Sequence, residues 1–100
     1  MPIDLVVTRH PALVELLLER GLINGGVLVL AHVGDPSLLD GKHACGVLPL
    51  HLAARCASVT EVPLAVTQAQ RESKRELSLD ELREIAGQAV RYVVTAVESV

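Results

Sequence analysis

Val6-Val7-Thr8-Arg9-His10-Pro11 is the stretch whose reading decides the fold. An apolar run from Ile3 to Val7, with only Asp4 inside it, breaks into Thr-Arg-His and then proline. The run is short and β-branched, which predicts a buried strand. Pro11 suits the first position of a helix, where its missing N–H costs nothing. Leu13, Val14, Leu16 and Leu17 give the following segment one apolar face, and Gly21 stops it, so a helix is expected from Pro11 to Arg20. A strand, a polar turn and a helix N-terminus form a natural anion site. Arg9 adds a planar fork suited to phosphate, and His10 adds a group that moves protons near neutral pH.

Working outward, Val27 to Ala31 is aliphatic on both faces, as in a parallel strand covered by helices. Ala44 to Leu48 reads as a third strand and Pro49 to Ala57 as a second helix. Val59 to Val66 reads as a fourth strand that Pro63 pushes toward an edge or bulge. Thr67 to Glu76 reads as a surface loop, and its basic stretch from Arg71 to Arg75 as a solvated face diluted by Glu72 and Glu76. Ser78 and Glu81 form a capping box that opens a helix ending near Gly87 or Gln88. Arg91 to Val97 closes the chain as a strand. This alternation predicts a small α/β sandwich with a mainly parallel sheet, residues 1–100 forming a single domain. Ligands in such folds gather at the carboxyl ends of the strands. Thr8-Arg9-His10, His32 to Asp35 and Leu48 to His51 all fall at such ends, so they are expected to converge.

Composition narrows the partners. Nine Lys and Arg against twelve Asp and Glu give a net charge of -3, which argues against duplex nucleic acid. Half of the 100 residues are hydrophobic, yet Phe and Trp are absent and Tyr92 is the sole aromatic. So small and aliphatic a domain favours a homodimer. Cys45 and Cys56 form no C-x-x-C pair and read as buried free thiols. No basic leader and no apolar run of bilayer length is present, so a cytoplasmic protein is expected, with no membrane partner.

Each candidate group has a plainer reading beside the functional one. Thr8 serves equally as a helix cap, Arg9 as half of a salt bridge, and His10 as a surface N-cap. His32 and His51 stand evenly between packed residues and site residues, Asp35 suits a turn before Pro36, and His43 reads as simply exposed. Convergence of His10, His32 and His51 on zinc is the minor alternative, because no H-x-x-x-H spacing supports a metal. Neither G-x-G-x-x-G nor a P-loop is present, and no cofactor is expected.

The motifs V-T-R-H-P, A-H at residue 32, G-V-L-P-L-H-L-A-A from Gly46 to Ala54, and R-E-L-S from Arg75 to Ser78 resemble the small CRISPR-associated accessory proteins found beside type III effector complexes. The resemblance spans nearly the whole chain. It implies a Rossmann-like, dimeric fold and a ring nuclease that linearises cyclic oligoadenylate, in particular cyclic tetra-adenylate. The matching positions are Thr8, Arg9, His10, His32, Gly46, Leu48, Pro49 and His51. Three departures accompany it. Val47 replaces a small hydroxylic residue, Val59 to Val62 replace aromatic residues, and Ser73-Lys74 displace a glycine.

Metal-independent cleavage would use the RNA's own 2′-hydroxyl as nucleophile. Arg9 is then expected to stabilise the phosphorane, with His10 as general acid or base and His51 as the second proton carrier or a phosphate donor. Thr8 and the backbone of Gly46, Val47 and Leu48 would position phosphates, while Lys42 and Arg71 would close over the ligand. A non-catalytic sensor or sponge would need the same pocket, and a protein-interaction domain with structural histidines is the third class.

Overall fold

The computed structural model describes residues 2–73 and 75–100. Five strands form one sheet in the order β2-β1-β3-β4-β5: β1 (Leu5–Val7), β2 (Leu28–Leu30), β3 (His43–Gly46), β4 (Ser58–Glu61) and β5 (Val90–Tyr92). The first four are parallel and β5 returns antiparallel to β4. This is the mixed α/β, Rossmann-like arrangement with a mainly parallel sheet.

The four α-helices are α1 (Pro11–Glu19), α2 (Leu50–Ala53), α3 (Gln68–Ser73) and α4 (Leu79–Ile85), with a 3-10 turn at Pro36–Leu39. Alternation along each strand sends side chains to opposite faces. Val6 and Cys45 point to the face covered by α1 and α4, where they meet Leu16, Leu17 and Leu82. Leu5, Ala44 and Val59 point to the other face, packing with Leu39 of the 3-10 turn and Ala53 of α2.

Helix α1 forms where the apolar spacing predicts it, and Pro11 opens it. It ends in a Schellman motif: Leu22 N–H donates to the Leu17 carbonyl and Gly21 N–H to that of Leu18 (both 3.0 Å), with Gly21 at φ 71°. Helix α4 carries the expected capping box, with Ser78 and Glu81 bonding each other's backbone amides.

Four expectations need correction. Strand β2 is an edge strand, with Leu28 51% and Val29 42% exposed, because the chain crosses back over β1 to place β3 on its other side. An aliphatic run does not distinguish a central strand from an edge strand that something else covers. Helix α2 is one turn rather than Pro49 to Ala57, and it gives way to the Asp40–Arg55 ion pair (2.7 Å). Strand β4 ends at Glu61, before Pro63, and lies between β3 and β5 rather than at an edge; only a Leu64–Ala86 bridge continues it. The expected loop from Thr67 to Glu76 contains α3, whose first turn is fixed by Thr67 and Gln70 bonding each other's amides (2.9 and 3.1 Å). Lys74, within that loop and the Ser73-Lys74 departure, lies outside the described residues.

His43 is also not simply exposed. It is half-buried, and its Nδ1 lies 2.7 Å from the Oγ of buried Ser58 on the neighbouring strand. Asp4 accepts a hydrogen bond from its backbone N–H (2.8 Å).

Candidate functional site

In a doubly wound sheet the two chain directions diverge beside the first strand and leave a crevice at the carboxyl ends. Here the divergence lies between β1 and β3. A cleft of about 350 Å³ opens there, lined by Thr8, Arg9 and His10 from the end of β1 and by Cys45, Gly46 and Val47 from the end of β3. Its walls are otherwise apolar, with Leu13, Ala31, Val62 and Leu64 contributing.

Two further hollows meet this cleft at His10. One, about 430 Å³, runs past Thr8, Arg9 and Pro11 toward Val29 on the β2 edge. The other, about 300 Å³, passes Leu13 and Leu64 to reach Gln70 and Arg71 on α3. The three share residues around the β1–α1 turn and form one groove. Among the described residues that line it none is Asp or Glu, and at the outer rim Glu81 is already held by Arg75 and Gln70.

Charge pairing sharpens this picture. Arg55 is held by Asp40, Arg75 by Glu81, and Arg83 by Glu19 and Asp80. Arg20 donates to the carbonyls of Ala86 and Gly87. Among the described residues Arg9 and Arg71 have no such partner, and both line the groove. An acidic chain thus leaves two unpaired guanidinium groups at one site. The salt-bridge reading of Arg9 is thereby set aside.

The turn itself is ordered by Thr8, whose Oγ1 accepts the His10 N–H (3.1 Å), while Thr8 N–H donates to the Leu30 carbonyl (2.8 Å). Thr8 therefore shapes the turn two residues ahead, and His10 occupies the N-cap without a side-chain cap bond. The helix end offers less than the sequence suggests. Pro11 has no N–H, and Leu13 donates its own to the His10 carbonyl (3.0 Å). The positive charge of Arg9 and Arg71, more than backbone amides, makes the groove attractive to anions.

Gly46 forms the floor. Its φ of 143° is closed to other residues, and a Cβ there would lie 2.4 Å from the Val7 carbonyl oxygen. Cys45 beside it is buried, and burial pushes its thiol up to about 11. It is a neutral wall at physiological pH rather than a nucleophile.

The remaining sequence candidates lie outside the cleft. His32 is exposed and does not line the cleft; nor does His51, which is exposed on α2, the helix that packs on the opposite face of the sheet from α1. Among the described residues no three His, Cys, Asp or Glu side chains gather to hold a metal, so His10, His32 and His51 do not converge. Leu48 lines a neighbouring apolar groove with Leu50 and Tyr92, and Pro49 is the N-cap of α2. Asp35 is a turn residue, accepting from the N–H and Oγ of Ser37 (3.0 and 2.8 Å), and those bonds hold its carboxyl below the usual range. Lys42 precedes β3 and so sits at the opposite end of the sheet from the cleft. Sequence reasoning missed Gln70 and the pocket beneath it, because a polar segment of six helical residues shows little hydrophobic period.

A family model described as "Putative CRISPR-associated protein (Cas_VVA1548)" matches residues 5–95. The chain belongs to this CRISPR-associated family. The match to Cas_VVA1548 takes in every strand, every helix and the whole groove. No curated protein and no solved structure matches the chain. Among the described residues, no helix is long and apolar enough to cross a membrane.

Proposed function

We propose that this CRISPR-associated protein is a ring nuclease of type III systems, which cleaves the cyclic oligoadenylate second messenger and so ends the signal. The observation that carries this reading is the pair of unpaired guanidiniums, Arg9 and Arg71, flanking His10 in a groove whose described lining residues include no Asp or Glu. Such a groove suits a compact ligand with several phosphates. The resemblance in T-R-H and L-P-L-H-L-A-A supports the cyclic tetra-adenylate assignment.

Cleavage needs no outside nucleophile. The ribose 2′-oxygen loses its proton and bonds to phosphorus, while the bond from phosphorus to the 5′-oxygen breaks and that oxygen gains a proton. The products are a 2′,3′-cyclic phosphate and a 5′-hydroxyl. Arg9 stabilises the charge that builds on the phosphorane, and the groove holds the ring with the 2′-oxygen in line. His10 handles one of the two proton transfers, because its imidazole stands where the three hollows meet. The neutral Cys45 thiol takes no part. With His51 away from the cleft, the second transfer falls to solvent.

A sponge that binds the ring without cutting it is the second reading, favoured because His10 is the single imidazole among the described residues that line the groove. Product analysis decides between them. Purified protein incubated with cyclic tetra-adenylate in EDTA is expected to give linear fragments ending in a 2′,3′-cyclic phosphate. Arg9→Ala and His10→Ala should each slow this by about 10²- to 10³-fold. Ring recovered intact after denaturation, with a thermal shift on binding, would establish the sponge. Intact ring and no shift would remove both.

A further inference from the structure

The 300 Å³ hollow beyond His10 has apolar walls that phosphate binding leaves unused. These walls come from α1, α4, the segment after β4 and the segment before α4, through Leu13, Leu82, Val66 and Leu77, with Gln70 and Arg71 of α3 at the rim. Its volume lies at the small end of ligand cavities, enough for one ring system rather than a chain. Its rim is polar and already fixed. Gln70 Oε1 accepts the Thr67 N–H (2.9 Å), and Gln70 Nε2 donates to Glu81 (3.3 Å). Glu81 also clamps Arg75 (2.7 and 2.8 Å).

Beside His10, the polar residues lining the pocket are Gln70, Arg71 and Arg75, all of which carry donors; Arg75 is occupied by Glu81, and Arg71 has no partner among the described residues. A flat heteroaromatic ring with acceptor nitrogens fits such a site. Apolar side chains take its faces, the donors take its ring nitrogens, and Arg71 can stack on it. The hollow joins the Arg9 cleft at His10, Leu13 and Leu64. A nucleotide whose phosphate sits beside Arg9 and His10 therefore has its base one ribose away from this opening.

The geometry points to the hollow between α1, α3 and α4 as a purine-base pocket that fixes which nucleotide flanks the phosphate held by Arg9 and His10. It rests on reading the groove as a nucleotide site. It also makes α3 a specificity element, since Gln70 and Arg71 both come from that helix. Adenine has three ring acceptors (N1, N3 and N7), and any purine fills two ring widths. A pyrimidine leaves half of the cavity empty and gains less from stacking.

The test titrates the protein with 5′-AMP, 5′-UMP and inorganic phosphate, watching methyl and amide resonances. AMP is expected to move the methyls of Leu13, Val66 and Leu77, with UMP weaker by about tenfold. Phosphate alone should move only the Thr8 and Arg9 amides. Val66→Trp, which fills the pocket, should abolish the methyl response to AMP and keep the response to phosphate. Arg71→Ala, on the exposed side of α3, should weaken AMP about tenfold and shrink its preference over UMP without disturbing the fold. Lost phosphate attraction alone would not produce that narrowing, so the test stands even if the tryptophan variant does not fold. The pocket is refuted by equal AMP and UMP affinities, by an AMP response confined to Thr8 and Arg9, or by unchanged AMP binding in Arg71→Ala. Cleavage is scored separately. A protein that takes AMP here yet leaves the cyclic ring whole keeps the pocket and loses the nuclease.

Discussion

Gly46 shows how a single residue ties the fold to the site. It pairs with Val7 across β1 and β3, and its φ of 143° brings the two backbones together at the cleft floor. Gly46→Ala would face both a forbidden conformation and a Cβ 2.4 Å from the Val7 oxygen. The expected cost is about 3 kcal/mol or more, a large share of the roughly 5–15 kcal/mol that holds a domain together. Thermal unfolding should show Tm lower by on the order of 15 °C. A variant as stable as the wild type would mean that the strands separate there freely. Cys45, the adjoining residue, makes a pH-dependent contribution. Its folded thiol is pushed up to about 11 from an ordinary value of 9.0, so the folded state resists a deprotonation that the unfolded chain undergoes first. That stability is complete below pH 9 and is lost between pH 9 and 11, about 2 to 3 kcal/mol in all. Denaturant titrations of Cys45→Ala and wild type should therefore converge as the pH rises through that window.

At the scale of the element, α4 depends on its first turn. Ser78 caps it and Glu81 closes the box while also holding Arg75 and Gln70, so the helix start anchors the rim of the α3 hollow. Ser78→Ala should cost about 1 kcal/mol, read from the denaturation midpoint at neutral pH. Hydrogen bonding from Arg75 draws the Glu81 carboxyl down to about 2, so the anchor holds at neutral pH and lets go only as pH falls from 4.5 toward 2. This capping box and the Schellman end of α1 were both legible in the sequence, because each depends on residues within one turn. Helix α3 was not legible. Its order comes from Gln70 meeting Thr67 locally and Glu81 eleven residues on, contacts that no periodicity announces. The end of β4 shows the reverse case: the sequence carried the strand past Pro63 toward an edge, whereas it stops at Glu61 and lies inside the sheet because β5 returns to pair with it.

For the whole molecule, the alternation of strands and helices was enough to give a mainly parallel sheet and a cleft at its carboxyl ends, lined by Thr8, Arg9, His10, Gly46 and Val47. The order of the strands was not readable, and with it went the placement of β2 at an edge and of His51 on the face away from α1. What the chain leaves uncovered bears on assembly. Val47 is 79% and Val93 73% exposed, and both line an apolar groove that meets the cleft at Gly46 and Val47. A two-fold copy docked on this groove would bury that surface and set two clefts side by side, matching the symmetry of a cyclic tetranucleotide. We therefore expect the protein to sediment as a dimer and Val93→Glu to sediment as a monomer that keeps its fold, since the side chain is already exposed. The same variant should lose affinity for the cyclic ring, because a ring spanning two clefts gains from their shared proximity while a single cleft holds only half of it. A wild-type monomer that cleaves the ring at full rate would place the whole reaction in one groove and leave Val47 and Val93 to some other contact.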